Sequence, residues 1–280
     1  MNEGILELLV STNDADLGRI CRRFADLCAP QVQVTIISQG ALSPFESETD
    51  RVSDVGSPAP RVVPSDTRGL SASRNVALAE STGTFLLLTD DDVAYVENFD
   101  SMIRTEFEER PEADILVFQI RTPEGRPYKK YRQSSFRHTL YSIMALSSVE
   151  LVLRKSSIDR VGVEYDERFG LGALYPVGEE AVFVSDCIKK GLAVQYVPRT
   201  LAIHEKGGAG SGFHTRNTTA RGALLKRIYG IRAYPIALVF CLKHFGKFRR
   251  DMGARAAARC LFGEIRRFDE SGTAAQGFRP

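Results

Sequence analysis

Residues 85–92 read FLLLTDDD, an apolar run that ends abruptly in three consecutive carboxylates. The run from Phe85 to Leu88 suits a buried strand, and the carboxyl end of such a strand is where an open α/β sheet presents its chemistry. Three adjacent negative charges repel one another, so they need solvent or a bridging cation. On an extended strand Asp90 and Asp92 point one way and Asp91 the other, unless the chain turns there. An acidic turn that caps the next helix explains the run as well by spacing alone.

The flanking segments narrow the choice. Residues 5–10 form a second short apolar run, stopped by Ser11, Thr12, Asn13 and Asp14. Helical spacing follows over 16–29, with Leu17, Ile20, Phe24 and Leu27 on one face, and 33–38 reads as another strand. Strand, helix and strand in this length predict a right-handed parallel crossover. Residues 43–64 are rich in Ser, Pro, Asp and Glu and read mostly as loop, with a brief edge strand at 61–63. The sequence RGLSASRN at 68–75 leads into a helix over 76–81, with Ser71 as its cap and Arg74 in its first turn. A cation is unfavourable at a helix start unless that turn faces an anion, which the free N–H groups also bind. The bland alternative is a pair of surface arginines.

Further along, 96–107 reads as a helix, 114–121 as a strand, 128–131 as a lateral strand, 135–145 as containing a short helix, and 149–154 as a strand. Gly170, Gly172 and Gly178 give a mobile loop shaped by Tyr175 and Pro176, ending in Glu179 and Glu180 at the start of a helix. Strands at 193–197 and 201–204 are separated by Pro198, and His204 follows the second apolar run. A neutral imidazole there suits a metal, a phosphate oxygen or an ordinary edge contact.

At 280 residues the chain can bury one large α/β core, and 43% hydrophobic with 26% charged residues is a soluble globular balance. The net charge of +2 conceals an asymmetry, because residues 213–280 hold 14 of the 37 Lys and Arg but only 4 of the 35 Asp and Glu. An acidic body argues against a nucleic-acid binder, and the basic tail points toward an anionic surface. Two helices expected within 224–248 and 253–268 suit either an anionic membrane interface or packing on the body. No signal peptide or uncharged 18-residue apolar segment is evident, so no transmembrane helix is expected. The five cysteines form no CxxC pair, and their odd number favours a reducing compartment.

Taken together, residues 69–93 (GLSASRNVALAESTGTFLLLTDDDV), 161–170 (VGVEYDERFG) and 178–204 resemble the family 2 nucleotide-sugar glycosyltransferases, inverting enzymes of the GT-A fold. The resemblance covers about residues 5–206. It implies an α/β catalytic domain over 1–212, with a mostly parallel central sheet flanked by helices and a basic helical extension over 213–280. The nucleotide-binding half is expected at about 1–95 and the acceptor half at about 96–212. Asp90 and Asp92 match the DxD pair that holds Mg²⁺ or Mn²⁺, Asp92 as the direct ligand, and His204 matches a histidine that completes the metal or phosphate environment. Thr12 and Asn13 match positions that line the nucleobase, Asp14 orients that loop, and Arg74 matches the nucleotide-side arginine. Arg68, Asn75 and Asp91 belong to the same donor-binding segments.

The sequence departs from the family at two places. Glu179-Glu180 stands where the family commonly has Glu-Asp, so Glu180 is the expected base and Glu179 the alternative. Gln39 lies where an acidic residue commonly contacts the donor. The resemblance implies a UDP-sugar donor, a glycan or lipid-linked acceptor, and a cytoplasmic enzyme peripheral to the membrane; homo-oligomerisation stays open. The competing readings are a metal-dependent phosphatase or phosphotransferase, whose arrangement of a nucleophilic Asp with a following Asp and Thr or Ser does not occupy the N-terminus, and a non-catalytic polyanion binder.

Overall fold

Alternation with a period of two decides which side of a sheet each strand residue meets. In the computed structural model, which describes residues 4–13, 16–39, 59–205 and 212–268, strand β1 (Leu6–Thr12) sends Leu6, Leu8 and Val10 to one side and Leu9 to the other. Strands β2 (Val32–Gln39), β3 (Arg61–Ser65) and β4 (Phe85–Asp90) lie beside it, all parallel, in the order β3-β2-β1-β4. On β4, Phe85 and Leu87 enter one core while Leu86 and Leu88 enter the other. Both faces of the strand are covered, which is why the run is uniformly apolar.

Beyond β4 the sheet becomes mixed. Two-residue β5 (Ala94–Tyr95), β6 (Ile115–Arg121), two-residue β7 (Phe136–Arg137), β8 (Leu151–Arg154) and β9 (Val194–Ile203) complete it, with the order β4-β8-β6-β9-β5. Strand β8 is antiparallel to both its neighbours, β9 is parallel to β6, and β7 pairs with β9. Helices α1 (Leu17–Ala25), α2 (Leu70–Glu80), α3 (Phe99–Glu109), α4 (Lys155–Val161) and α5 (Glu179–Lys189) cover the two faces. Ile20, Phe24, Ile103 and Phe107 pack on one side; Ala77, Ile158, Phe183 and Cys187 pack on the other.

Several local expectations change. Helix α2 begins at Leu70, so Arg74 sits one turn in, and Ser71 does not cap it but donates to the Phe169 carbonyl at 2.6 Å. Pro198 does not divide β9; the pairing with β6 shifts register between Val117 and Ile120, and an irregular stretch accepts a residue without an N–H. Near 128–131 there is no strand, only the Tyr128 N–H bonded to Ile120 and a bridge between Arg121 and Pro127. The helix expected within 135–145 is replaced by β7 and turns, because Phe136 packs on Tyr196 and its backbone pairs with β9.

The tail folds inward. Helices α6 (Thr215–Tyr229), α7 (Ala233–Lys243), α8 (Phe245–Asp251) and α9 (Ala254–Arg267) form a layer on the body. Ala223, Leu224 and Ile228 of α6 pack against Phe169, Ala181 and Val182. Arg227 forks onto Asp186 at 3.0 and 2.6 Å and reaches Asp166 at 2.9 Å, so some of the tail's positive charge is neutralised internally. Helices α6 and α9 cross so closely that a Cβ on Gly222 would lie 2.5 Å from the Leu261 carbonyl oxygen. Among the described residues no helix is long and apolar enough to cross a membrane. All five cysteines are free thiols.

Candidate active site

Parallel strands that end together leave a crevice at their carboxyl edge. Here β1 ends in Ser11, Thr12 and Asn13, β2 in Gln39 and β4 in Asp90, and these residues line a cavity of about 500 Å³ with Asp91 and Asp92. The chain turns after Asp90, so all three carboxylates face the same cavity instead of alternating. The Thr12 hydroxyl donates to Asp91 Oδ2 at 2.6 Å and holds that turn against β1. Gln39 Nε2 donates to the Gly69 carbonyl at 2.8 Å and ties β2 to the start of α2.

Two of the donor-side candidates are elsewhere. The Asn75 amide is used structurally: it donates to the Tyr165 carbonyl at 3.0 Å and accepts the Tyr165 N–H at 2.7 Å, pinning the 165–167 segment to α2. Arg68 is exposed, and neither it nor Asn75 lines the cavity. Asp14 lies outside the described residues, as does most of the 43–64 stretch.

His204, just past β9, faces the acidic turn. Its ring stacks on Tyr128 with centroids 5.9 Å apart, and its backbone N–H donates to the Arg121 carbonyl. Its Nδ1 is buried without a hydrogen-bond partner, 3.7 Å from Asp92 Oδ1. An orphaned imidazole nitrogen beside carboxylates fits a divalent cation. Among the described residues, no three His, Cys, Asp or Glu side chains are grouped to hold a metal by themselves.

A second cavity, of about 400 Å³, adjoins the first, and Leu70, Asp90, Leu171 and His204 border both. Glu179 and Glu180 enter it from the first turn of α5, where the helix dipole favours negative charge. Gly178 precedes them at φ +96°, and a Cβ there would strike Leu224 of α6 at 2.7 Å. Much of the remaining wall is apolar, and Arg221, Leu224, Leu225, Ile236 and Phe240 come from the tail helices. Sequence reasoning did not place these residues at the site, since helical spacing shows that a face is apolar and not what it covers. It also passed over Tyr128, whose part depends on the fold bringing it to His204.

Arg74 links the two acidic clusters. Only 2% exposed, it donates to Glu180 Oε1 at 2.6 Å and to Asp90 Oδ1 at 3.4 Å, with Glu179 Oε1 3.8 Å away and the Tyr165 ring centred 5.5 Å from its guanidinium. Burial alone lowers an arginine's pKa, but Glu180, Tyr165, Asp90 and Glu179 outweigh it and raise this one. Burial and the neighbouring Glu180 charge push the Glu179 carboxyl up to about 8, against the opposing pull of Arg74. The loop expected to be mobile is anchored at its shoulders: Phe169 is fully buried, and Tyr175 donates to Glu264 of α9 at 2.6 Å. At its tip the Leu171 and Leu174 side chains are 48% and 52% exposed, while the Leu171 carbonyl accepts the Leu70 N–H at 2.9 Å and ties the tip to the start of α2.

With this geometry in place, comparison with known proteins identifies the fold. The chain matches S. aureus TarS (residues 1–349) bound to UDP-GlcNAc with a TM-score of 0.66 at 14% identity, covering 93% of this chain and 80% of that one. It matches the same protein bound to UDP with a TM-score of 0.58 at 12% identity, covering 93% and 82%. A comparison with curated protein sequences found no match. The glycosyl transferase family 2 profile matches residues 19–161, about half of the chain, spanning α1 to α4 and the acidic end of β4. The chain therefore belongs to glycosyl transferase family 2 and is a nucleotide-sugar glycosyltransferase with a GT-A fold.

Proposed function

We propose that the protein is a metal-dependent, inverting glycosyltransferase that moves a sugar from a UDP-sugar to a hydroxyl of a glycan or lipid-linked acceptor. The observation that carries this reading is the joining of two cavities across Asp90 and His204, one lined by polar strand ends and the other holding Glu179 and Glu180. The catalytic body is taken as residues 1–212. Thr12, Asn13 and Gln39 surround the nucleobase and ribose, and TarS, which shares the fold, binds UDP-GlcNAc and UDP. Asp90, Asp92 and His204 would hold Mg²⁺ or Mn²⁺, which supplies neutralisation of the charge that builds on a departing diphosphate.

The chain's own groups do the rest. Arg74, already between the clusters, gives the diphosphate a buried positive charge, which acts most where negative charge develops. The same guanidinium binds Glu180 in the structure, so an arriving diphosphate competes for it and leaves Glu180 freer to accept a proton. Glu180 takes the acceptor hydroxyl's proton as that oxygen attacks the anomeric carbon from the face opposite the diphosphate. The new C–O bond forms as the bond to the diphosphate breaks, and configuration inverts. Glu179, its carboxyl pushed up by burial and by the neighbouring Glu180 charge, is the alternative base one residue away. Leu171, at the tip of the 169–177 loop, closes water off where the cavities meet.

A screen of nucleotide sugars for nucleoside diphosphate release, with and without Mn²⁺, tests this proposal. The expected result is Mn²⁺-stimulated release of UDP from a UDP-sugar. Release from no nucleotide sugar, or release indifferent to chelation, overturns it.

A further inference from the structure

Helix α7 is apolar on two sides, and only one of them is covered. Ile236 and Phe240 face the second cavity, while Ala233 and Ala237 are fully buried in the tail's own core. At 100° per residue, Leu238, Val239 and Leu242 fall on the opposite side, and Ile231 just before the helix and Phe245 just after it are exposed as well. These five side chains are 53–76% exposed and form a large apolar ridge, more than the scattered single residues of an ordinary surface. The charges along the same stretch are of one sign: Arg232, Lys243, Lys247, Arg249 and Arg250 are all exposed, with Asp251 as the only acid among residues 230–251.

We propose that this ridge docks on an anionic lipid bilayer, with α7 lying in the headgroup layer and the cations of α7 and α8 against anionic headgroups. An apolar face beside a cationic one is the pattern of an interfacial helix, and each chemistry accounts for a part the other does not. Eleven residues of helix span about 16 Å, against roughly 30 Å of hydrocarbon, so α7 lies on the bilayer and does not cross it. Because the cavity-facing and exposed residues lie on opposite sides of one helix, docking sets the Glu179/Glu180 cavity about one helix diameter, ~10 Å, from the headgroups. This rests on the transferase reading of that cavity and adds where its acceptor is met: at a membrane surface.

The test is co-sedimentation of the full-length protein with vesicles of neutral phosphatidylcholine alone or with 30% phosphatidylserine, alongside Leu238→Ser/Leu242→Ser and Lys247→Gln/Arg249→Gln/Arg250→Gln variants. UDP binding with Mn²⁺ is measured in parallel. The expected result is binding to the anionic vesicles that weakens at least tenfold in either variant and falls with salt, while UDP affinity is unchanged. Equal partitioning to neutral vesicles, or no partitioning, overturns the proposal. So does a dimer that the Leu238/Leu242 substitutions dissociate without any vesicle binding, because the ridge is then a self-association surface. Loss of UDP binding in the wild-type chain with vesicle binding intact counts against the transferase reading and not against the docking.

Discussion

The two halves of the site are built in different ways. The first cavity is made by the ends of parallel strands, with Thr12, Gln39 and Asp90–Asp92 brought together by the sheet and held by bonds such as Thr12 to Asp91 at 2.6 Å. The second is made by a helix start, a loop and two tail helices, and its charges sit among Leu224, Leu225, Ile236 and Phe240. A sheet edge tolerates many loops without moving, whereas a wall of packed helices exists only if the tail docks. The contrast implies that donor binding survives changes that remove transfer, and each prediction probes that division.

Glu180→Gln is expected to lower the transfer rate by roughly 10²–10⁴-fold while UDP binding persists; retained transfer with Glu179→Gln inactive would move the base by one residue. Arg74→Met leaves Glu180 buried without its cation and removes the partner of the part-exposed Asp90, so thermal or urea unfolding should show a loss of about 3–5 kcal/mol. An unchanged midpoint would break the idea that one guanidinium holds both halves. Asp92→Asn is expected to remove the Mn²⁺ stimulation, on the order of 10²-fold, with circular dichroism unchanged because the side chain is 63% exposed.

Glu179 gives a smaller effect that depends on pH. Its carboxyl moves from the ordinary 4.5 to about 8 in the folded chain, so the folded state keeps a proton that the unfolded chain has released. Its stabilising contribution is complete below pH 4.5 and is lost as pH rises through about 8. Glu179→Gln should therefore gain stability on the wild type as pH rises over that range, and show little difference at pH 4. Parallel unfolding curves at every pH would contradict this.

Much of the first cavity was legible in the sequence because strand ends are local signals. An apolar run broken by polar residues marks β1 and β4, and the parallel crossover brings Thr12 beside Asp91. What the sequence hid were competitions between partners. Ser71 and Asn75 look like a cap and a ligand, yet Ser71 bonds Phe169 and Asn75 bonds Tyr165, each about 90 or more residues away. Pro198 looks like a strand break, but a register shift in the pairing with β6 accommodates it. For the tail, the sequence left packing on the body and an anionic surface equally open; the packing occurs, but Arg227 on Asp186 and the close crossing at Gly222 depend on partners that no local pattern reveals.

A crystal structure with UDP and Mn²⁺ bound tests most directly whether one donor joins the two acidic clusters. The expected result places the diphosphate and the ion against Asp90, Asp92 and Arg74, with the Glu180 carboxylate facing the side where an acceptor enters. UDP bound away from these residues, or a diphosphate separated from Glu180 by protein with no passage between the cavities, would contradict the account.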